Sequence, residues 1–242
     1  MPALDGSRSL VVGGAHRLGK AIALDLAAAG ADVAISYRSS AHAAEATRAE
    51  ITALGVRSAA FAAEAGIPAQ MAALIDSAVA ELGGLDVVVY CPSGGFEPVA
   101  AADVSEELWD AALDSTAKGF MFAAQAAHRH MAAAGGGVIV AITDVAGMQP
   151  WPLFGPHGAA KAAQVHLVKS FALAWGRDGV RVCGVAPGPV LLPGGERGAT
   201  EETVLGTIGE PADVCRAVRF CVESGFVTGT NVVVDGGRML RP

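Results

Sequence analysis

The sequence predicts an α/β fold in which helices cover both faces of one doubly wound, seven-stranded parallel sheet. Short apolar runs rich in β-branched residues alternate along the chain with longer, alanine-rich helical stretches. This alternation is typical of strand–helix–strand units. The 242 residues suit one domain and are enough to bury a full core. We therefore predict a single domain over residues 1–242.

Turn and cap residues divide the chain into its elements. Gly30 and Gly55 follow helical runs, as C-terminal glycines do. The residues Asp-Val-Ser-Glu at 103–106 have the spacing of a capping box at a helix start. Glycines at 83–84 and 135–137 mark the turns into the fourth and fifth strands. The predicted strands span residues 10–12, 32–37, 56–62, 85–90, 138–143, 180–185 and 231–234.

Composition argues against several classes of protein. Apolar residues make up 52% of the chain, with a mean hydropathy of +0.43 that owes much to alanine. No apolar run approaches the roughly 18 residues of a membrane span, and the first strand leaves no room for a signal peptide. A net charge of −7 disfavours a nucleic-acid partner. The four cysteines show neither C-x-x-C nor zinc spacing. We expect a cytoplasmic protein with no metal, no membrane and no nucleic-acid partner.

A glycine-rich turn joins the first strand to the first helix. Residues 11–20 read Val-Val-Gly-Gly-Ala-His-Arg-Leu-Gly-Lys. Glycines permit a tight turn, and the N–H groups at a helix N-terminus bind a pyrophosphate. The position after a strand and before a helix favours a dinucleotide site over a purely structural turn. The candidate cofactor residues here are Gly13, His16, Arg17, Leu18 and Gly19.

The end of the second strand indicates which dinucleotide is bound. Tyr37, Arg38 and Ser39 stand there, without an Asp or Glu to accept a ribose 2′-hydroxyl. A guanidinium is the natural partner of a 2′-phosphate, so the residues favour NADP(H) over NAD(H). The alternative is that Arg38 is a solvated residue at a strand end.

Residues 138–161 carry a family resemblance. Val-Ile-Val-Ala-Ile-Thr-Asp144 is followed, thirteen residues after the aspartate, by His157-Gly-Ala-Ala-Lys161. The spacing resembles that of the short-chain dehydrogenase/reductase family, in which a serine precedes Tyr-x-x-x-Lys. Gly13 and Gly19 also match the family's glycine-rich turn. Arg17 before Leu-Gly, Asp144 in place of serine and Ser93 after the fourth strand resemble the pteridine reductase branch.

The resemblance extends over residues 10–238 and implies a Rossmann-type sheet with strand order 3-2-1-4-5-6-7. It implies a homotetramer or a dimer, packed through the helices at 104–133 and 158–176. It assigns substrate orientation to Asp144, nicotinamide-ribose binding to Lys161, the proton-donor position to His157 and the proton-relay position to Thr116. Further cofactor contacts are implied for Glu64, Ala65, Cys91, Ser93, Pro187, Gly188 and Val190.

His157 stands where the family has its catalytic tyrosine. Free imidazole has a pKa of about 6.5, which suits a general acid or base near neutral pH, although its ring is shorter than a phenol. One hypothesis is that His157, paired with Asp144, donates the proton in a hydride transfer. The alternatives are a redox-silent remnant in a non-catalytic binding subunit, and a non-redox acid–base enzyme such as a dehydratase, cyclase or isomerase.

An apolar set of side chains is predicted to face the reacting end. These residues are Phe96, Met148, Trp151, Phe154 and Leu192. Such walls suit a planar, cyclic small molecule, although ordinary loop packing would use the same residue types. The sequence as a whole predicts an NADP(H)-dependent reductase of a C=O or C=N bond in a pteridine-like or polyketide-like molecule.

Overall fold

A computed structural model of the protein describes residues 4–190 and 203–241. Within them the seven strands form one parallel sheet in the order β3-β2-β1-β4-β5-β6-β7, which confirms the predicted topology. The strands are β1 Arg8–Val12, β2 Asp32–Tyr37, β3 Ser58–Ala62, β4 Val87–Tyr90, β5 Gly137–Ile142, β6 Val180–Pro187 and β7 Asn231–Val234. The helices are α1 Arg17–Ala28, α2 Ala41–Ala53, α3 Pro68–Leu82, α4 Glu106–Leu113, α5 Gly119–Ala133, α6 Gly155–Trp175 and α7 Pro211–Glu223.

Helices cover both faces of the sheet, and each face has its own apolar core. On one face the strands pack against α3, α5 and α6, with Met71, Phe120 and Val168 buried between them. On the other face they pack against α1, α2 and α7, with Ile22 and Val218 buried. Because both faces are covered, the central strands are continuous apolar runs. None of the helices described is long and apolar enough to cross a membrane.

Several predicted boundaries were wrong by one or two residues. β1 begins at Arg8 because this residue already pairs with Asp32 and donates hydrogen bonds to both carboxylate oxygens of Asp86. β6 continues to Pro187, which lies opposite Val234 in the register of β7. The predicted starts of β3 and β4 were each two residues early, and the predicted end of β5 was one residue late. Such ends depend on tertiary pairing.

The capping box predicted at residues 103–106 is wrong. Asp103 lies in a short 3₁₀ turn, and Ser105 is the N-cap of α4, where its Oγ accepts from Leu108 N at 3.2 Å. The predicted helix at 104–133 is also interrupted, because Asp114–Lys118 form a π-helical turn between α4 and α5. The helix predicted to start at Gly158 begins three residues earlier, at Gly155. By contrast, Glu210 and Asp213 form a reciprocal capping box at α7.

Candidate active site

The predicted site residues converge at the carboxyl ends of the central strands, where parallel α/β sheets bind ligands. The loop after β1 meets the loop after β4, since a Cβ atom at Gly13 would lie 3.4 Å from Pro92 Cγ. The loop after β4 carries Ser93, the loop after β5 carries Asp144, and the first turn of α6 carries His157. The three side chains of Ser93, Asp144 and His157 are in contact.

His157 is held at both of its ring nitrogens. Its Nε2 lies 3.3 Å from Asp144 Oδ2, and its Nδ1 lies 3.5 Å from Ser93 Oγ. The side chain is only 4% exposed, whereas that of Asp144 is 23% exposed. Asp144 is itself oriented, because its Oδ1 accepts from Ala146 N at 2.8 Å. A carboxylate that is fixed in this way holds the imidazole in one orientation, as in other acid–base sites.

Lys161 lies one helical turn beyond His157 on α6 and is buried. Its ammonium donates to Ile142 O at 2.7 Å and to Gln164 Oε1 at 3.4 Å. Burial lowers the pKa of Lys161 to about 8, and Asp144 acts in the opposite direction. Sequence reasoning did not single out Gln164, although its position three residues after Lys161 on a helix was a usable signal.

Thr116 lies in the π-helical turn and is fully buried. Its Oγ1 accepts a long, 3.4 Å hydrogen bond from Gly94 N, in the loop after β4. π-Helical turns are frequent at functional sites. The structure therefore places Thr116 against the loop that carries Ser93, one residue away from the contact with His157.

The turn between β1 and α1 fits a pyrophosphate. A Cβ atom at Gly19 would collide with Gly13 O, and one at Gly14 would lie 2.7 Å from Ile35 Cγ2. The N-cap residue His16 makes no side-chain cap bond, and the first turn of α1 holds no acidic residue. The first N–H groups of the helix and its dipole thus suit an anionic ligand.

Arg17 has a backbone φ of 53°, in the left-handed region that favours glycine. By resemblance to the short-chain dehydrogenase/reductase family, this position is that of the middle glycine of the turn, which Arg17 replaces in this chain. Both Arg17 and the neighbouring Leu18 remain at the surface or partly exposed, beside the turn. The sharp turn is therefore kept although its middle glycine is absent.

The end of β2 presents the residues predicted to recognise a 2′-phosphate. Arg38 and Ser39 are exposed, and Tyr37 is half-buried. Arg38 Nε lies 3.8 Å from Glu64 Oε2, at the end of the neighbouring strand. Arg38 and Glu64 thus form a surface ion pair in the position where a phosphate would compete for the guanidinium.

The remaining candidate cofactor residues line the same edge of the sheet. Cys91 follows β4, and its backbone N–H donates to Val12 O at 3.1 Å. Burial raises the pKa of the Cys91 thiol to about 12, so the thiol is neutral. Pro187 ends β6 and Val190 forms a bridge with Gly209. The other positions are Gly188, which donates to Val234 O, and the buried Ala65. Leu192, predicted to belong to the apolar substrate wall, lies outside the described residues.

Aromatic side chains form a wall that leads away from His157. Phe96 contacts the imidazole edge-on at 4.9 Å between ring centroids and stacks on Phe154 at 4.7 Å. Trp151 meets Phe154 edge-on at 5.8 Å. Trp151 and Phe154 line a cleft of about 480 Å³. Met148, predicted to belong to this set, instead lines a separate cleft beside α6 and β7.

Comparison with known proteins identifies the family of the chain. A family model described as enoyl-(acyl carrier protein) reductase matches residues 13–238. The short chain dehydrogenase/reductase dmxR18 of Cryptosporiopsis sp. is 32% identical over 256 aligned residues, which cover 97% of this chain and 96% of that protein. The chain belongs to the short-chain dehydrogenase/reductase family.

Solved structures of the family superpose over nearly the whole chain. A short-chain dehydrogenase from Burkholderia cenocepacia in complex with NADP has 32% identity and a TM-score of 0.91, covering 98% of this chain and 100% of its own. A 7α-hydroxysteroid dehydrogenase in complex with NADH and 7-oxo glycochenodeoxycholic acid has 30% identity and a TM-score of 0.90, covering 97% and 94%. The doubly wound sheet is thus that of the short-chain dehydrogenase/reductase family.

Proposed function

We propose that the protein is an NADP(H)-dependent reductase of a C=O or C=N bond in a cyclic small molecule, with Asp144, His157 and Lys161 at the reacting end. The observation that supports this most is the buried imidazole of His157, held against Asp144 one helical turn from the buried Lys161. An oriented imidazole with a carboxylate partner is suited to move a proton near neutral pH.

The cofactor assignment rests on the fit of this chain's own residues. The uncapped start of α1 and the crowded glycines of the turn suit a pyrophosphate. Arg17, Arg38 and Ser39 are assigned to the 2′-phosphate, and Lys161 to the ribose beside the nicotinamide. The reduced nicotinamide supplies the hydride when it is bound. A family member of known structure binds NADP.

In this proposal the protein positions the substrate and supplies the proton. Asp144 orients the imidazole, and the proton leaves the nitrogen that does not face Asp144. The assignment of protons to the two nitrogens follows from these partners. Lys161 adds a positive charge behind the site, which stabilises negative charge that develops on the substrate oxygen.

The substrate class follows from the aromatic wall. Phe96, Phe154 and Trp151 present flat apolar surfaces that suit a planar or polycyclic ligand, either pteridine-like or polyketide-like. The related 7α-hydroxysteroid dehydrogenase was solved with a polycyclic 7-oxo compound.

We also propose that the protein is cytoplasmic, that each subunit is a single domain, and that the subunits form a homotetramer or a dimer.

The test measures NADPH binding by fluorescence and NADPH oxidation with a panel of cyclic ketones and imines. His157→Phe should lower kcat by about 100-fold or more, the range of a general acid, with little change in the NADPH Kd. His166→Phe is the matched control, since His166 is exposed on the same helix. Equal rates for His157→Phe and the wild type would remove His157 from the mechanism.

The same measurements separate the alternatives. Failure of the wild type to bind NADPH would favour a non-catalytic subunit and overturn the proposal. Binding of NADPH without its oxidation, over the whole panel, would favour a non-redox acid–base enzyme that uses Asp144 and His157.

A further inference from the structure

Three polar side chains form a continuous line that starts at the surface with Ser93, passes through His157 and ends at Asp144. Ser93 is exposed in the loop after β4, whereas the imidazole is 4% exposed behind it. Nδ1 of His157 faces Ser93 Oγ at 3.5 Å and Nε2 faces Asp144 Oδ2 at 3.3 Å. Both nitrogens therefore already have a side-chain partner, and the exposed end of the line is a hydroxyl group.

The aromatic wall makes the imidazole less accessible still. Phe96 meets the ring edge-on at 4.9 Å and is fixed by stacking on Phe154. A substrate oxygen would have to displace Ser93 or Asp144 to reach a ring nitrogen of His157. Displacing Asp144 would break the contact that orients the ring. The hydroxyl of Ser93 is the accessible group on the other side of the ring.

The loop that carries Ser93 is held on both sides. On one side Pro92 has a restricted φ and lies against the turn at Gly13. On the other side Gly94 leaves no room for a side chain, because a Cβ atom there would lie 2.5 Å from Ala111 O and 2.6 Å from Ser115 Oγ. This packing positions the hydroxyl in advance, as catalysis requires.

We infer that Ser93 is a catalytic residue: its Oγ–H gives the proton to the substrate, and His157 replaces that proton. The inference rests on the proposed function and deepens it. As the carbonyl carbon receives hydride, the C=O π pair moves to oxygen, and this oxygen takes the proton of Ser93. Ser93 Oγ takes the proton from Nδ1 of the imidazolium, while Nε2 keeps its proton and donates it in a hydrogen bond to Asp144 Oδ2. The neutral imidazole then regains a proton from water.

The contact distance is consistent with this step. Hydrogen bonds between catalytic groups are commonly long in unliganded enzymes and shorten when the substrate binds. A 3.5 Å separation of Ser93 Oγ from Nδ1 needs a shift of about 0.5 Å to reach the usual range. A small rotation of the Ser93 side chain about its Cα–Cβ bond supplies a shift of this size while the packed loop stays in place.

The test compares Ser93→Ala, Ser93→Thr and the control Ser115→Ala, which alters packing beside the same loop away from His157. Each variant is assayed for kcat with the best substrate of the panel, for NADPH Kd and for kcat as a function of the D₂O fraction. We expect Ser93→Ala to lower kcat by about 100-fold with an unchanged Kd, and Ser93→Thr to retain most activity because it keeps the hydroxyl. Ser115→Ala should behave as the wild type.

The D₂O series reports how many protons move. When two protons are transferred in the rate-limiting step, the rate depends on the D₂O fraction along a curve, and we expect such a curve for the wild type. For Ser93→Ala we expect a linear dependence.

An active wild type with an equally active Ser93→Ala variant overturns the inference and leaves the proposed function standing. A loss of NADPH affinity equal to the loss of rate assigns Ser93 to the cofactor alone and also overturns the inference. A wild type that oxidises no NADPH overturns both.

Discussion

The buried ammonium of Lys161 should make the stability of the unliganded protein depend on pH in a defined window. Its pKa falls from 10.5 in a free side chain to about 8, chiefly because it is buried. Between these two values the unfolded chain binds the proton and the folded chain does not, so stability rises with pH. Below about pH 8 both states are protonated, and the full destabilisation is present.

The size of the effect follows from the two pKa values. At roughly 1.4 kcal/mol per pKa unit, the difference between 10.5 and about 8 corresponds to about 3 kcal/mol of destabilisation near neutral pH. About 2.5 kcal/mol of this should be recovered by about pH 10, where most of the window has been crossed. Lys161→Met has no ionisable group at this position and should lack this recovery.

The assay is the free energy of unfolding in urea for the wild type and Lys161→Met, measured from about pH 7 to 10. Subtracting the free energy of unfolding of one protein from that of the other removes the pH dependence of the titrating groups that both share. The lost hydrogen bond to Ile142 O remains in the difference as an offset, so the change of the difference with pH is the quantity that reports the titration of Lys161. Lys169→Met is the control, since Lys169 is exposed on the same helix. If the difference in free energy of unfolding between the wild type and Lys161→Met stays constant over the whole pH range, the reasoning is refuted.

Two further predictions concern cofactor choice and the core. Arg38→Ala should raise the Kd for NADPH by about 10-fold or more and leave the Kd for NADH unchanged, whereas Glu64→Gln, which removes the competing carboxylate, should lower the Kd for NADPH. Fluorescence titration measures both constants, with Arg48→Ala as the control. Equal effects of Arg38→Ala on the two nucleotides would contradict the prediction. Tyr90→Phe should lower the free energy of unfolding by about 1–2 kcal/mol, because the buried hydroxyl donates to Ser115 O at 2.5 Å; a urea titration showing no change would contradict this.

The sheet could be predicted almost completely from the residues. Apolar runs such as those of β4 and β5 have to be buried on both faces, and this restricts them to the centre of a parallel sheet. The predicted C-terminal glycines were confirmed, since Gly30 and Gly55 have φ values of 91° and 89°. The family resemblance was confirmed as well.

Local sequence signals were misleading or absent at several positions. Residues 103–106 had the spacing of a capping box, but Ser105 lies closer to the helix and its hydroxyl bonds the helix instead. The π-helical turn at residues 114–118 had no sequence signal, and it interrupts the helix that was predicted to run through these residues. Met148 had the right residue type for the aromatic wall, yet the chain places it beside β7.

The alternation of strands and helices predicted the architecture, because it depends on short-range periodicity. The family resemblance, rather than periodicity, proposed Asp144, His157 and Lys161 as site residues. Tertiary packing decided which atoms meet. Ser93 and His157 are 64 residues apart along the chain and come into contact only because β4 and β5 are adjacent in the sheet. Spacing identifies the imidazole, but only the folded sheet brings a hydroxyl and a carboxylate to its two nitrogens.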